Sequence, residues 1–141
     1  MRKRIAALLA AALVLSLLGG CKVKGSPLPG GMEEAALLDA GREIVTLLNA
    51  SDWQEVYGRL RPASQALTSP EAFQTYMVQR LDKAGSYVQE TDALATGQTI
   101  QDTGEEYGTA VLYCKHEKKT LVYRIAFSTE MELIDFDVSV R

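Results

Sequence analysis

The stretch Thr120–Ser128 reads TLVYRIAFS, and a large apolar side chain recurs at every second position. One set of alternating positions is wholly apolar and comprises Leu121, Tyr123, Ile125 and Phe127. The other set is mixed and comprises Val122, Arg124, Ala126 and Ser128. This period of two, with many β-branched and aromatic residues, predicts a strand. We expect the apolar face to lie in the core and the mixed face to lie in water.

Four further segments are predicted to be strands, at residues 86–92, 94–101, 106–115 and 132–140. In the last of them, the apolar Phe136 and Val138 alternate with Asp135 and Asp137. We therefore expect the two aspartates to face water and not to form an acid/base pair. Each connection between these segments is short and polar. Because a parallel pair needs a long crossover, the sheet is predicted to be antiparallel.

The sequence before Gly85 has the helical period instead. Residues 33–49 place an apolar stripe on one helix face, at Leu37, Ala40, Ile44, Leu47 and Leu48. Ser51 followed by Gln54 predicts a capping box for a helix that reaches Leu60, and Pro62 is expected to end it. A third helix is predicted from Pro70 until Gly85. Helices followed by strands indicate an α+β domain, with the helices packed on one face of a curved sheet.

This order of elements resembles the nuclear transport factor 2-like, or cystatin-like, α+β cone. Three helices, a glycine at the end of the third (Gly85) and a meander that runs to the C-terminus carry the resemblance. Residues 49–56 (NASDWQEV) are similar to the step between the first two helices in small bacterial lipoprotein members, many of unknown function. The family includes isomerase-like and dehydratase-like enzymes as well as non-catalytic modules, so the fold does not select a function.

The N-terminus has the composition of an export signal. Arg2, Lys3 and Arg4 precede an apolar run at residues 5–18, which is shorter than the roughly 20 residues that a membrane-spanning helix needs. The following Leu18-Gly19-Gly20-Cys21 resembles the lipobox of bacterial lipoproteins. The resemblance implies that Cys21 receives diacylglycerol and that cleavage follows Gly20. The protein would then be lipid-anchored on the extracytoplasmic face of the cell membrane.

Three parts follow from this interpretation: a signal peptide (1–20), an acylated cysteine with a flexible tether (21–31) and a globular domain (32–141). Without residues 1–20, 12 Lys and Arg face 18 Asp and Glu, for a net charge near −6. Such an acidic domain is a poor nucleic-acid binder. Only Cys114 remains beside the acylated Cys21, so no intrachain disulfide is expected. The host is left open: Gram-positive, or Gram-negative with the outer-membrane sorting that Lys22 would permit.

Few residues indicate chemistry. His116 is the only histidine, and its charged neighbours predict a water-exposed residue in a hairpin turn. Cys114 shares a face with Ala110 and Leu112, which predicts a buried and unreactive thiol; an intermolecular disulfide is the alternative. We expect no metal site, because no HExxH or CxxC spacing occurs, and no cofactor or nucleotide site. The aromatic residues are expected in the core; a pocket lining is the alternative reading.

Two functions of different class remain. The favoured one is a non-catalytic binding or interaction module of the cell envelope, whose partner is a protein, an envelope component or a second copy. The alternative is a small-molecule isomerase- or hydratase-like enzyme that uses the cone pocket. It requires an inward-pointing helix carboxylate, for which Glu43, Glu55 and Asp82 are the candidates, and a tyrosine as oxyanion donor.

Overall fold

The computed structural model describes residues 25–141. Four helices precede four strands. The helices are α1 (Glu34–Asn49), α2 (Trp53–Arg59), α3 (Pro62–Gln65) and α4 (Pro70–Ala84). The strands are β1 (Tyr87–Thr99), β2 (Glu106–His116), β3 (Thr120–Ser128) and β4 (Leu133–Val140). The predicted signal peptide and Cys21 lie outside the described residues.

The four strands form one antiparallel sheet in the order β1-β2-β3-β4. Helices α1 and α4 pack on one face of this sheet, and the buried core lies between the two layers. Its central side chains are fully buried and include Leu37, Ile44, Leu48, Met77, Leu112, Tyr123, Ile125 and Val138. The predicted α+β fold, with helices on one face of an antiparallel sheet, is confirmed, and it is consistent with a curved sheet of the nuclear transport factor 2-like type.

The two strands predicted between Ser86 and Gln101 are one strand of 13 residues. Its pairing with β2 shifts register between Tyr87 and Gln89 and again between Glu90 and Asp92. Each irregularity resets the alternation of side chains between the two faces. The sequence pattern around Asp92 therefore resembled the end of one strand and the start of another.

Two predicted helix signals act differently. Ser51 has a positive φ of 60° and lies before the helix, and the N-cap position of α2 belongs to Asp52, with no side-chain cap bond. The predicted capping box at Ser51 is therefore wrong. Pro62 begins the short helix α3 rather than only ending α2, because a proline fits the first turn of a helix. At α4 the predicted cap is present, since Ser69 Oγ accepts a hydrogen bond from Ala72 N at 3.1 Å.

The face of the sheet that points away from the helices is less exposed to solvent than expected. Val111 and Val122, on the two central strands, are only 6% and 3% exposed although their side chains point away from the helices. Ser128 is also buried, and its hydroxyl accepts hydrogen bonds from the amides of Glu130 and Glu132 in the β3–β4 turn. The expectation of a uniformly solvated face is corrected at these positions.

The expected tether is also corrected over its described part. Ser26 N donates to Thr96 Oγ1, and Gly97 N donates to Ser26 O, both at 3.0 Å. Leu28 and Met32 pack against the core cluster. The chain is therefore fixed to the edge of β1 from about residue 25 and not from residue 32.

Candidate functional site

A groove of about 690 Å³ lies between helices α3 and α4 and strand β4. We call it the β4 groove. Its lining is mostly apolar, with polar groups at the rim, and comprises Leu60, Arg61, Ala63, Ser64, Leu67, Thr68, Ala72, Phe73, Tyr76, Ile134, Asp135, Phe136 and Asp137. This volume and this mixture are typical of small-molecule and peptide-side-chain sites.

Local sequence features build the groove. The chain after α2 pairs with β4 through a parallel bridge between Leu60 and Leu133, and Arg61 N donates to Leu133 O at 2.9 Å. Ser64 Oγ donates to Ile134 O. These bonds hold α3 against the start of β4. The chain then turns at Leu67 into α4. Helices α3 and α4 therefore form the two sides of the groove, and β4 lies between them.

The interior of the groove is aromatic. Phe73 and Phe136 meet edge to face with ring centroids 5.3 Å apart, and Tyr57 lies 5.9 Å from Phe73. Such arrangements add to the stability gained from burial. Leu67 at the rim is 87% exposed, the largest value among the exposed large apolar side chains. The groove therefore joins an aromatic floor to one highly exposed apolar side chain at its rim.

A tyrosine–carboxylate pair stands at one end of the groove. Tyr76 OH donates to Asp137 Oδ1 at 2.9 Å, and Arg124 lies 3.8 Å from the other oxygen of Asp137. Burial raises the pKa of Tyr76, and the hydrogen bond to Asp137 raises it further. Arg80 stacks on the Tyr76 ring at 3.5 Å. Tyr76 therefore stays protonated and remains a hydrogen-bond donor at neutral pH.

An ion pair closes the other end. Both terminal nitrogens of Arg61 contact the two oxygens of Glu105, at 2.8 Å and 2.9 Å. The Arg61 guanidinium holds the pKa of the Glu105 carboxyl below its usual value. This two-pronged geometry fixes the direction of the arginine as well as its charge. Arg61 is thus committed to Glu105, and Asp137 contacts Tyr76 and Arg124. Asp135 is the exposed charge of the lining that has no salt bridge within residues 25–141.

A second cavity of about 500 Å³ lies between α1 and the first half of β1. Its floor includes Leu112 and Cys114, and Arg42 at its rim contacts both oxygens of Glu90 at 3.0 Å. The register shifts of β1 occur beside this cavity. Its charged groups neutralise one another, so it offers a ligand less polar recognition than the β4 groove.

The three candidate catalytic carboxylates do not enter either cavity. Glu43, Glu55 and Asp82 are exposed, and Arg59 forms salt bridges of 3.0 Å with both glutamates. Every other carboxylate on helices α1 to α4 is exposed as well. The inward helix carboxylate that the enzyme alternative needs is therefore not found among the described residues.

Asp135 and Asp137 are exposed, as predicted. The contact of Asp137 with Tyr76 was not predicted, because the sequence does not show that β4 is an edge strand with a helix beside it. The spacing of Tyr76 on α4 shows only that it shares a face with Phe73 and Met77. The only feature of the sequence that pointed to this contact was an exposed aspartate on the last strand.

The prediction for His116 is wrong. The side chain is 1% exposed, with Nδ1 2.9 Å from Gly85 O and Nε2 2.9 Å from Tyr123 OH. A carbonyl oxygen only accepts, so Nδ1 carries a hydrogen; in the neutral ring Nε2 then accepts from the Tyr123 hydroxyl. Asn49 in turn donates to the Tyr123 oxygen at 3.2 Å. The charged residues next to His116 lie in the turn, whereas His116 ends β2 and points into the core.

Cys114 is buried, as predicted, and burial raises the pKa of its thiol to about 11. In residues 25–141, no group of three or more His, Cys, Asp or Glu side chains is placed to hold a metal ion. No helix of that part of the chain has the length and apolarity to cross a membrane.

A comparison with solved structures supports the fold. A protein from Ruminococcus gnavus ATCC 29149, solved by NMR, has a similar structure, with a TM-score of 0.67 and 20% sequence identity. The alignment covers 79% of this chain and 96% of that one. No curated protein matches the chain. Residues 41–136, more than half of the chain, match DUF3887, described as a protein of unknown function. The chain therefore belongs to the DUF3887 family.

Proposed function

We propose that the protein is a lipoprotein anchored to the extracytoplasmic face of the cell membrane, and that its domain is a non-catalytic binding module of the envelope. The anchor is supported by the basic residues 2–4, the apolar run 5–18 and the lipobox-like sequence ending at Cys21. The two or more acyl chains of a lipoprotein hold a protein stably on a membrane, whereas one chain does so only marginally.

The β4 groove is the observation that supports binding. It joins an aromatic floor to the highly exposed Leu67, and a mostly apolar cavity of about 690 Å³ has the size and composition of a ligand site. Asp135 is its exposed charge without a salt bridge within residues 25–141, since Arg61 is held by Glu105 and Asp137 contacts Arg124. The complementary ligand is an apolar group that carries a positive charge. A second copy of this acidic chain fits the groove less well, because like charges would meet.

The anchor is tested by Cys21→Ser. We expect the wild-type protein in the membrane fraction and the variant in the medium or the periplasm. Retention of the variant on the membrane would contradict the lipid anchor.

The groove is tested with three amphiphiles of equal chain length: dodecylammonium, dodecanol and dodecanoate. Chemical-shift changes of the groove amides should saturate at the lowest concentration for the cation and at the highest for the anion. Asp135→Asn should reduce this preference, whereas Asp82→Asn, an exposed carboxylate outside the groove, should not. Equal binding of all three, or shifts away from the groove, would reject the site.

The Tyr76–Asp137 pair favours a second candidate function, an isomerase- or hydratase-like enzyme. A tyrosine that stays protonated is a suitable oxyanion donor, and a carboxylate beside it is a possible base. If an enolisable ketone is turned over, Tyr76→Phe should lower kcat by about 10²–10³. Turnover unaffected by Tyr76→Phe and Asp137→Asn would remove this candidate.

A further inference from the structure

The N-terminal strap, residues 25–28, lies along the outer edge of β1. Ser26 is bonded on both sides: its amide donates to Thr96 Oγ1, and its carbonyl accepts from Gly97 N. Met32 N closes the turn behind the strap by donating to Pro29 O at 3.2 Å. The strap thus covers part of an edge that would otherwise present unpaired amides.

Two glycines permit this close approach. A Cβ atom at Gly97 would lie 2.0 Å from Pro27 O, and a Cβ atom at Gly25 would lie 2.2 Å from Ala95 O. Both neighbours are backbone atoms, which a side-chain rotation cannot move away. Alanine at either position therefore expels the strap or forces it to shift.

The strap leaves little free chain before the cysteine. Only four residue steps separate Cys21 from Gly25, which span at most about 13–14 Å when fully extended. A tether that stayed free as far as Met32 would have eleven steps and would reach about 36–40 Å. With the strap docked, the edge of β1 stays within a short distance of the acyl chains.

The strap and the part of β1 beside it contain no charged residue. Residues 25–32 and residues 93–101 contain no Asp, Glu, Lys or Arg, although the domain as a whole is acidic. Anionic headgroups repel carboxylates, and the flanking Lys22 and Lys24 are attracted to them. The β1 edge is therefore compatible with a bilayer at close range.

We infer that the edge of the sheet at residues 95–97 faces the phospholipid headgroups, and that the β4 groove opens away from the membrane. β1 and β4 are the two opposite edges of the sheet, separated by three strand spacings of about 4.8 Å each. The short attachment thus presents the groove to partners outside the bilayer. This inference rests on the proposed lipid anchor.

Energy transfer to the membrane tests this orientation. The lipidated protein is reconstituted in vesicles of phosphatidylethanolamine and phosphatidylglycerol that carry a headgroup acceptor dye. A donor dye is attached at Thr99→Cys, near the strap, or at Leu67→Cys, on the groove rim; both positions are exposed. Because residue 99 lies on β1 and residue 67 lies on the groove rim beside the opposite edge strand, we expect the rate of transfer from residue 99 to be severalfold higher than the rate from residue 67.

The glycine variants supply the contrast. Gly97→Ala and Gly25→Ala should bring the two transfer rates together, because a released strap lets the domain tumble at the end of a longer tether. Gly58→Ala is the matched control, since a Cβ atom there has no neighbour within 4 Å, and it should behave as wild type. Circular dichroism of each variant checks that the domain stays folded.

The experiment distinguishes a failure of the proposed orientation from a failure of the proposed lipid anchor. If wild type floats with the vesicles but residues 99 and 67 transfer equally, or residue 67 transfers more, the orientation is overturned while the anchor stands. If transfer is unchanged in both folded strap variants, the strap does not set the orientation. If wild type does not float with the vesicles, the anchor itself has failed.

Discussion

Replacement of Tyr123 by phenylalanine tests the buried network around His116. The substitution removes one oxygen and keeps the ring, so the packing of a side chain that is 0% exposed changes little. What is lost is the hydroxyl that donates to His116 Nε2 and accepts from Asn49. Asn49 keeps its bond to Val45 O, whereas Nε2 keeps no partner in the described structure. The buried nitrogen therefore bears the whole cost.

An unsatisfied buried acceptor costs about 1–3 kcal/mol. For a loss of about 2 kcal/mol and an m value of about 2 kcal/mol/M, the urea midpoint should fall by about 1 M. Equilibrium unfolding followed by the fluorescence of Trp53, the single tryptophan, measures this shift. Tyr113→Phe is the control, because the Tyr113 hydroxyl has no hydrogen bond within residues 25–141, and it should change stability by less than about 0.5 kcal/mol.

A double-mutant cycle separates the hydrogen bond from general packing. His116→Ala should cost less in the Tyr123→Phe background than in wild type, since one partner is already lost, with a coupling of about 0.5–3 kcal/mol. A midpoint equal to that of wild type, or fully additive effects, would refute the network.

Three further predictions concern the cap, one ion pair and the thiol. Ser69→Ala should cost about 1 kcal/mol by loss of the α4 cap, whereas Ser51→Ala, which caps nothing, should cost no cap energy in the same urea assay. The pKa of Glu105 is lowered in the folded state by Arg61, so its stabilisation is complete above the unfolded value of about 4.5 and is lost as pH falls through the lower folded value. In Glu105→Gln, the free energy of unfolding should therefore depend less on pH below about pH 5 than it does in wild type. An equal dependence on pH in the two proteins would contradict this. The pKa of the Cys114 thiol is about 11, against an ordinary value of 9.0, which means about 100-fold less thiolate at pH 8. Labelling of Cys114 with maleimide should therefore be rapid only in urea. Rapid labelling of the native protein would contradict the burial of the thiol.

The strand periods were sufficient to predict the sheet. In Thr120–Ser128 the apolar and mixed positions alternate without interruption, and the strand lies where the pattern predicts. In β1 the alternation breaks at the register shifts, and one strand was predicted as two. Regular pairing leaves a regular sequence signal, whereas a bulge is determined by the partner strand and leaves an ambiguous one.

Local patterns were poor guides where a distant residue decides the outcome. His116 has charged neighbours, but the acceptors and donors that hold it, Gly85 and Tyr123, come from other elements. The Tyr76–Asp137 contact likewise joins residues 61 positions apart. The groove depends on α3, a four-residue helix that begins at Pro62, where the sequence predicted only an end.

At the strap, a local pattern predicted flexibility where the structure shows fixed contacts. Residues 22–31, KVKGSPLPGG, have the composition of a flexible tether. Gly25 and Gly97 instead allow two backbone segments to meet closely, and a glycine-rich composition is compatible with both behaviours. Only the position of Gly97 on an edge strand distinguishes them, and that position is a property of the fold.

The intact mass of the N-terminal peptide from membrane-extracted protein tests the proposed anchor most directly. If the lipid anchor is present, the mature chain begins at Cys21 and carries the mass of a diacylglycerol, with or without a further acyl group on its amine. A chain that retains residues 1–20, or that begins with an unmodified Cys21, would contradict the anchor and with it the proposed place of the binding module.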